Sequence, residues 1–347
     1  MKRTSLLSIL LLLSVITTAQ EIHFSQFYEN SIIRNPALTG VFSGDYKAGV
    51  NYKTQWNTIS VPYRTGLATV ESRLKVNEVN DYFSYGISVT YDQAGSTSFN
   101  SLYVYPAINY NKCLMDERNS YLSFGIAAGY VQRSINASRM TFDDQYRFGG
   151  YDPGNTSAES IPSTKVGYLD GGAGVSFNSS MGTDNHINYY LGASAYHINK
   201  PKVSFASDEA YLRVPIKWTG SAGMHWLIDE HAVLSLHGNY SQQGINREIV
   251  AGFLACWRTL DFSAQKKLFA VYGGLFYRVK DAWIPTVKVD YQSYSFTFSY
   301  DINSSQLVKG SNGRGGFEMS VFTKGFWQKT MNKTACPRFE SVNDPDF

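Results

Sequence analysis

Cysteine is scarce in this chain of 347 residues: Cys113, Cys256 and Cys336 are odd in number and far apart. The close pairs of a zinc site and the even count of a disulfide framework are both missing, which excludes a small fold held together by metal or bridges. A Cys113–Cys336 bridge is conceivable in an oxidising envelope, although the spacing does not favour it, and Cys256 reads as a small packed residue of an alternating strand. Charge is scarce as well, at 17% of residues, and nearly balanced at 31 basic against 28 acidic. Removing Lys2 and Arg3 with a leader leaves 29 basic residues and a net charge of +1, so nothing in the charge supports nucleic acid as a partner. Long apolar runs are missing past the N-terminus, where none approaches the roughly 18 residues of a membrane helix.

Chemistry is equally thin. No nucleophile, base and orienting acid can be assembled, so neither an enzyme nor a cofactor is expected. His225, His231 and His237 recur across a strand, a turn and a strand, but a metal needs convergent ligands with outer support, and a structural or lumen-lining role fits them better. Asp143 and Asp144 diverge in extended backbone and read as a solvated loop. The glycine-rich Gly310–Gly316 lacks the lysine and hydroxyl of a phosphate loop and precedes a strand, so it reads as a connection.

What is present begins with a leader. Met1-Lys2-Arg3, an apolar run from Leu6 to Ile16 and small residues at Thr17-Thr18-Ala19 make a secretory signal peptide over residues 1–19, cleaved near Ala19. An exported chain without membrane helices can enter a bilayer only as a closed barrel, because only helices and closed barrels satisfy the backbone in lipid. The alternation supports one. In Ser293–Tyr300 every second residue is aromatic (Tyr294, Phe296, Phe298, Tyr300), with Ser295, Thr297 and Ser299 between them. Successive strand side chains point to opposite faces, so one face is aromatic and the other small and hydroxylic, as in a wall between lipid and a wet lumen.

The pattern recurs from Tyr46–Lys53 to Phe317–Val321 and predicts an all-β fold, a transmembrane antiparallel barrel of about 14 strands over residues 45–327. Two long loops are expected, at Gln132–Thr164 and Asn199–Leu212, on the outer side. Pro285 predicts a bulge or a strand start in the twelfth strand. Residues 20–44 carry no strand period, and Asn35-Pro36 and Gly40 enforce turns there. A segment this apolar belongs inside or under the barrel mouth, as a plug that completes packing or as a gate or docking surface. Residues 328–347 form a basic polar tail past the last strand, expected in the periplasm.

Several pieces match one pattern in order. His23-Phe24-Ser25-Gln26-Phe27-Tyr28, Asn35-Pro36-Ala37-Leu38-Thr39-Gly40 and Gln55-Trp56 resemble the start of the PorP/SprF family of the Bacteroidetes. His197-Ile198-Asn199-Lys200-Pro201, Gly315-Gly316-Phe317-Glu318-Met319-Ser320 and the tail's Cys336-Pro337-Arg338-Phe339 resemble later marks of that family. One departure is Tyr52-Lys53-Thr54, where the family usually has an arginine-rich phrase before Gln-Trp. The resemblance implies an outer-membrane component of type IX secretion and, in gliding species, of adhesin delivery or retention. Implied partners are outer-membrane lipid, a secreted protein with a type IX C-terminal sorting domain, and periplasmic secretion-ring proteins. Candidate partner-binding or plug residues are Phe24, Gln26, Phe27, Asn35, Pro36, Thr39, Gly40, Gln55, Trp56, Cys336, Pro337, Arg338 and Phe339. The alternative is a channel of the fatty-acid-transporter kind for small hydrophobic ligands, since Asn-Pro-Ala also occurs early in such barrels.

Overall fold

The computed structural model describes residues 22–327, apart from 58–60, 77–79, 148, 160–162, 183–184, 206–211, 262–265 and 306–307. The expected leader and the tail, with Cys336 and its suggested pairing, lie outside the described residues.

Fourteen strands close into one antiparallel barrel. They are β1 (Tyr46–Gln55), β2 (Tyr63–Lys75), β3 (Tyr82–Ala94), β4 (Phe99–Met115), β5 (Ser120–Ser134), β6 (Lys165–Met181) and β7 (Ile187–Tyr196). The second half is β8 (Lys217–Leu227), β9 (Ala232–Gln243), β10 (Asn246–Asp261), β11 (Lys266–Arg278), β12 (Ala282–Tyr291), β13 (Tyr294–Asn303) and β14 (Arg314–Gly325). Each strand pairs with its sequence neighbour, and β1 closes on β14 with Tyr46 opposite Gly325 and Gln55 opposite Gly316. Closure leaves no edge strand with unpaired amides, which is the condition for a sheet to sit in lipid. No helix among the described residues is long and apolar enough to cross a membrane.

The alternation sorts side chains as a lipid-facing wall requires. Tyr294, Phe296 and Phe298 are about half exposed on the outside, while Ser295, Thr297 and Ser299 are buried inside. In β3, Phe83, Tyr85, Ile87, Val89 and Tyr91 face out, and Ser84, Ser88 and Thr90 face in. Both long connections, 135–164 and 197–216, leave the same rim. The chain enters β1 and leaves β14 at the opposite rim, where the turns are short. One of these, Asp229-Glu230-His231, is pinned by Asp229 Oδ1, which accepts from the backbone N–H of His231 and Ala232 at 2.7 Å each. These two donors hold the Asp229 carboxyl below its usual range.

One local expectation shifts. Pro285 causes neither a bulge nor a strand start: β12 begins at Ala282 and stays in register with β11, with Pro285 opposite Leu275. Its missing donor instead interrupts the ladder to β13, where pairing lapses between Trp283 and Thr286. Strand β7 ends at Tyr196, where His197 takes a left-handed φ of 58° and its imidazole turns to Asp170, 2.7 Å away. Strand β4 runs from Phe99 to Met115, with the polar residues Asn109 and Asn111 buried on its lumen face.

Candidate functional site

The lumen is not filled by wall side chains alone. Residues 22–44 run inside it from the long-loop rim to the short-turn rim before β1 begins. Near the first rim, Lys53 of β1 donates to His23 O at 3.1 Å, and His23 Nδ1 lies 3.7 Å from Glu248 at the start of β10. At the second rim, Asp45 N donates to Gly325 O at 2.6 Å. Three short helical turns, Phe27–Glu29, Ser31–Arg34 and Pro36–Leu38, fold the segment between these points. Asn35-Pro36 sets the last turn: Pro36 supplies a fixed φ at its first position, and Asn35 Oδ1 caps it by accepting from Ala37 N at 2.9 Å.

The first half of this segment is held by charge. Glu318 of β14 accepts from Ser25 N at 2.6 Å, Gln26 N at 3.0 Å and Asn51 Nδ2 at 2.8 Å. Ser25 Oγ donates to Asp301 at 2.6 Å and accepts from Arg278 Nη2 at 2.7 Å and Lys53 Nζ at 3.2 Å. Arg278 also donates to Asp301 at 3.0 Å, and Lys53 stands 3.7 Å from that carboxylate. Gln26 spans β13 and β14, donating to Ser299 Oγ at 3.1 Å and Glu318 O at 3.0 Å and accepting from Ser320 Oγ at 2.6 Å. Glu29 takes Lys288 at 2.7 Å and Lys47 at 3.5 Å. Asp301, Glu29 and the bases beside them thus have counter-ions, and Glu318 has three N–H donors, the conditions under which burying charge is tolerable. Phe27 and Tyr28 pack with Phe276 and Ile284, and Tyr28 stacks on His237 at 4.9 Å.

The second half is held mainly by shape and neutral hydrogen bonds. Asn35 Nδ2 donates to Val175 O at 3.1 Å and Ala193 O at 3.3 Å, between β6 and β7. The wall is bare there: a Cβ on Gly125 would strike the backbone of Pro36 and Ala37, and one on Gly174 would strike the Asn35 side chain. Asn109 Nδ2 donates to Ala37 O at 2.9 Å and Thr39 O at 2.8 Å, and Ser176 Oγ also donates to Ala37 O, at 3.1 Å. Gly40 has a φ of 77°, and a Cβ there would strike Ser84. Glu71 is the main ion on this side, accepting from Gly40 N at 2.9 Å and from the Ser31 hydroxyl.

The structure therefore brings Phe24, Gln26, Phe27, Asn35, Pro36, Thr39 and Gly40 into one lumen assembly, all buried. Gln55 and Trp56 stand apart at the long-loop rim, where Gln55 ends β1 and the Trp56 ring meets Tyr63 edge-on at 4.8 Å. Cys336, Pro337, Arg338 and Phe339 lie outside the described residues. The wall partners Arg278, Lys288 and Asp301 escaped the sequence reading, and Lys53 and Glu318 entered it only inside phrases of the family resemblance. Their signal was available: they are ions placed on the small-residue phase of strands, where a lumen face should carry serine and threonine.

The three histidines do not converge. His225 Nδ1 lies 2.9 Å from Ser235 Oγ, His231 Nδ1 lies 3.1 Å from Arg258 O, and His237 pairs across β8–β9 with Gly223. Among the described residues no group of three or more His, Cys, Asp or Glu could hold a metal ion. Asp144 serves its own loop, accepting from Ser157 Oγ at 2.9 Å and Ala158 N at 2.6 Å. Among the cavities beside the segment, two share a lining residue. The larger, of about 90 Å³, opens at the long-loop rim between the segment and β8–β10. A second of about 20 Å³ lies toward the short-turn rim, and Arg34 lines both.

Among solved structures, a FadL homologue from Pseudomonas aeruginosa is similar at a TM-score of 0.50 and 11% identity, over 84% of this chain and 92% of that one. The Ralstonia pickettii toluene transporter TbuX is similar at 0.48 and 12% identity, over 84% and 90%. At these identities the likeness is one of fold. No curated protein matches. The model of the type IX secretion system membrane protein PorP/SprF matches residues 16–322, nearly the whole barrel with its lumen segment, and the chain belongs to that family.

Proposed function

We propose that this outer-membrane barrel of the type IX secretion family works by binding. It receives or anchors a secreted surface protein through that protein's C-terminal domain at the long-loop face, and contacts the periplasmic secretion ring through the short-turn face and the tail. The observation that carries this reading is the occupied lumen. With residues 22–44 bonded to strands around the wall, the larger remaining cavity of about 90 Å³ has no room for a passing polypeptide domain. Function is then left to the two faces. The long connections 135–164 and 197–216 supply the larger surface on one of them.

The second reading, a fatty-acid-type channel, has the shared fold behind it. Against it stands the lining of the larger cavity, which mixes Phe24 and Phe27 with Asn30, Arg34, Thr219, Asn239 and Ser241 and is far below the several hundred Å³ of ordinary ligand pockets. Purification of the tagged barrel in mild detergent decides between the two. Recovery of a secretion-ring component or a large secreted protein is the expected result; co-purified lipid without any protein partner overturns the proposal in favour of the channel.

A further inference from the structure

Arg34 is the one residue that lines both cavities among those of the lumen segment carrying positive charge, and its charge is not matched nearby. Its Nη1 donates to Tyr190 Oη at 2.7 Å, and its guanidinium lies over the rings of Tyr190 at 5.4 Å and Phe27 at 5.8 Å. It is 9% exposed, and its Nε has no hydrogen-bond partner among the described residues. Nor does any described carboxylate form an ion pair with it, in contrast to Lys47, Lys53, Lys288 and Arg278. Burying an arginine costs several kcal/mol unless a counter-charge is supplied, so the lumen holds an uncompensated cation.

Its neighbours in the larger cavity share this condition. Asn30, 3% exposed and one helical turn before Arg34, has neither its Nδ2 nor its Oδ1 bonded to any described residue. Thr219 of β8, 5% exposed, has an unpartnered hydroxyl on the same lining. Buried polar atoms are nearly always bonded, so the unpartnered donors around this cavity, Arg34 Nε, Asn30 Nδ2 and the Thr219 hydroxyl, point to a ligand that accepts from them. The acid of this cavity, Glu248, is engaged by Arg278 at 3.6 Å and His23 at 3.7 Å, and Lys217 and Arg247 stand at the mouth.

We infer that the cavity between the lumen segment and β8–β10 binds a carboxylate, held by Arg34 with Asn30 and Thr219. One buried guanidinium compensates one negative charge, which fits a carboxylate better than a phosphate dianion. With Nη1 turned to Tyr190, the Nε edge of the guanidinium remains for the planar pairing that carboxylates favour. About 90 Å³ admits a small acid or the end of a peptide chain, so the source is either a free organic acid or a C-terminal carboxylate entering from the long-loop rim.

The test is calorimetric titration of the full chain, folded in detergent, with acetate, then with a tripeptide acid and its C-terminal amide. Acetate should bind once per barrel, and the amide should bind at least about tenfold more weakly than the acid. Binding of the peptide acid assigns the source to a chain terminus, and binding of acetate without the peptide assigns it to a free acid. Arg34→Gln should abolish binding. Because that variant can also loosen the segment, Arg34→Lys and Thr219→Val are titrated beside it, each checked for heat-modifiable gel migration. Both should fold and bind about three- to tenfold more weakly. Absence of binding by both acetate and the peptide acid in the folded wild type, or equal affinity in the folded variants, overturns the assignment.

Discussion

The two halves of the lumen segment are fastened to the wall by different physics. Residues 23–29 meet β1 and β11–β14 through buried carboxylates, ammonium groups and a guanidinium. Residues 35–40 meet β2–β7 through carbonyls, two asparagines, the Glu71 carboxylate and glycines that let backbone touch backbone. A charged clamp fails abruptly when one ion loses its partner. A shape clamp fails in proportion to the group inserted or the bond removed. The first half is therefore the stiffer anchor, and the second is where the segment can shift by small steps.

The largest effect is expected at Glu318. Glu318→Leu deprives Ser25 N, Gln26 N and Asn51 of their acceptor and leaves Lys53 short of negative charge. Breaking a buried, hydrogen-bonded ion of this kind costs about 3–5 kcal/mol. Limited proteolysis should then cut near the N-terminus while the barrel itself still shows heat-modifiable migration. If the first residues stay protected, the charged clamp is not what holds them.

Next comes the bare wall. Gly125→Val puts atoms where Pro36 and Ala37 now lie, and the backbone of the segment must move away. Overpacking of this kind costs about 1–3 kcal/mol. The expected signature differs from that of Glu318→Leu: protease cutting around residues 35–40, with residues 23–29 still protected. Cutting of both halves together in either variant would show one cooperative unit and remove the distinction.

The barrel was far more legible than this assembly. Period-two alternation is local, and a run such as Tyr294–Tyr300 declares its two faces within eight residues. The number of strands followed from counting such runs, and Pro285 misled only because its lost donor fell on the β13 side without disturbing register. The clamp is not local. Ser25 and Glu318 are 293 residues apart, and nothing in the sequence around either one names the other. Asn35-Pro36 and Gly40 could be singled out because their turn chemistry is intrinsic to the residues. Arg34 and Glu29 look like ordinary surface charges until the wall closes round them.

A smaller effect is expected at Asn35. Asn35→Ala removes the cap on Ala37 N and the two bonds to Val175 O and Ala193 O, but these carbonyls already belong to paired strands. A loss of about 1–2 kcal/mol fits a cap with partial compensation. Hydrogen exchange should rise at Ala37 and Leu38 and stay unchanged at Ser25 and Gln26.

The smallest effect sharpens the contrast most, because it asks whether the neutral side holds reserves that the charged side lacks. Ala37 O accepts from both Asn109 Nδ2 and Ser176 Oγ. Ser176→Ala therefore leaves that carbonyl satisfied and should cost only about 0.5 kcal/mol. Asn109→Ala strips Thr39 O of its donor as well and should cost about 1–2 kcal/mol. The double variant leaves Ala37 O buried without any donor, so its loss should exceed the sum of the two singles. Thermal unfolding of the four proteins in detergent measures the coupling. Strict additivity would mean that water reaches the Ala37 carbonyl when both donors are gone, and the shape clamp would then be looser than the contacts of Pro36 with Gly125 imply.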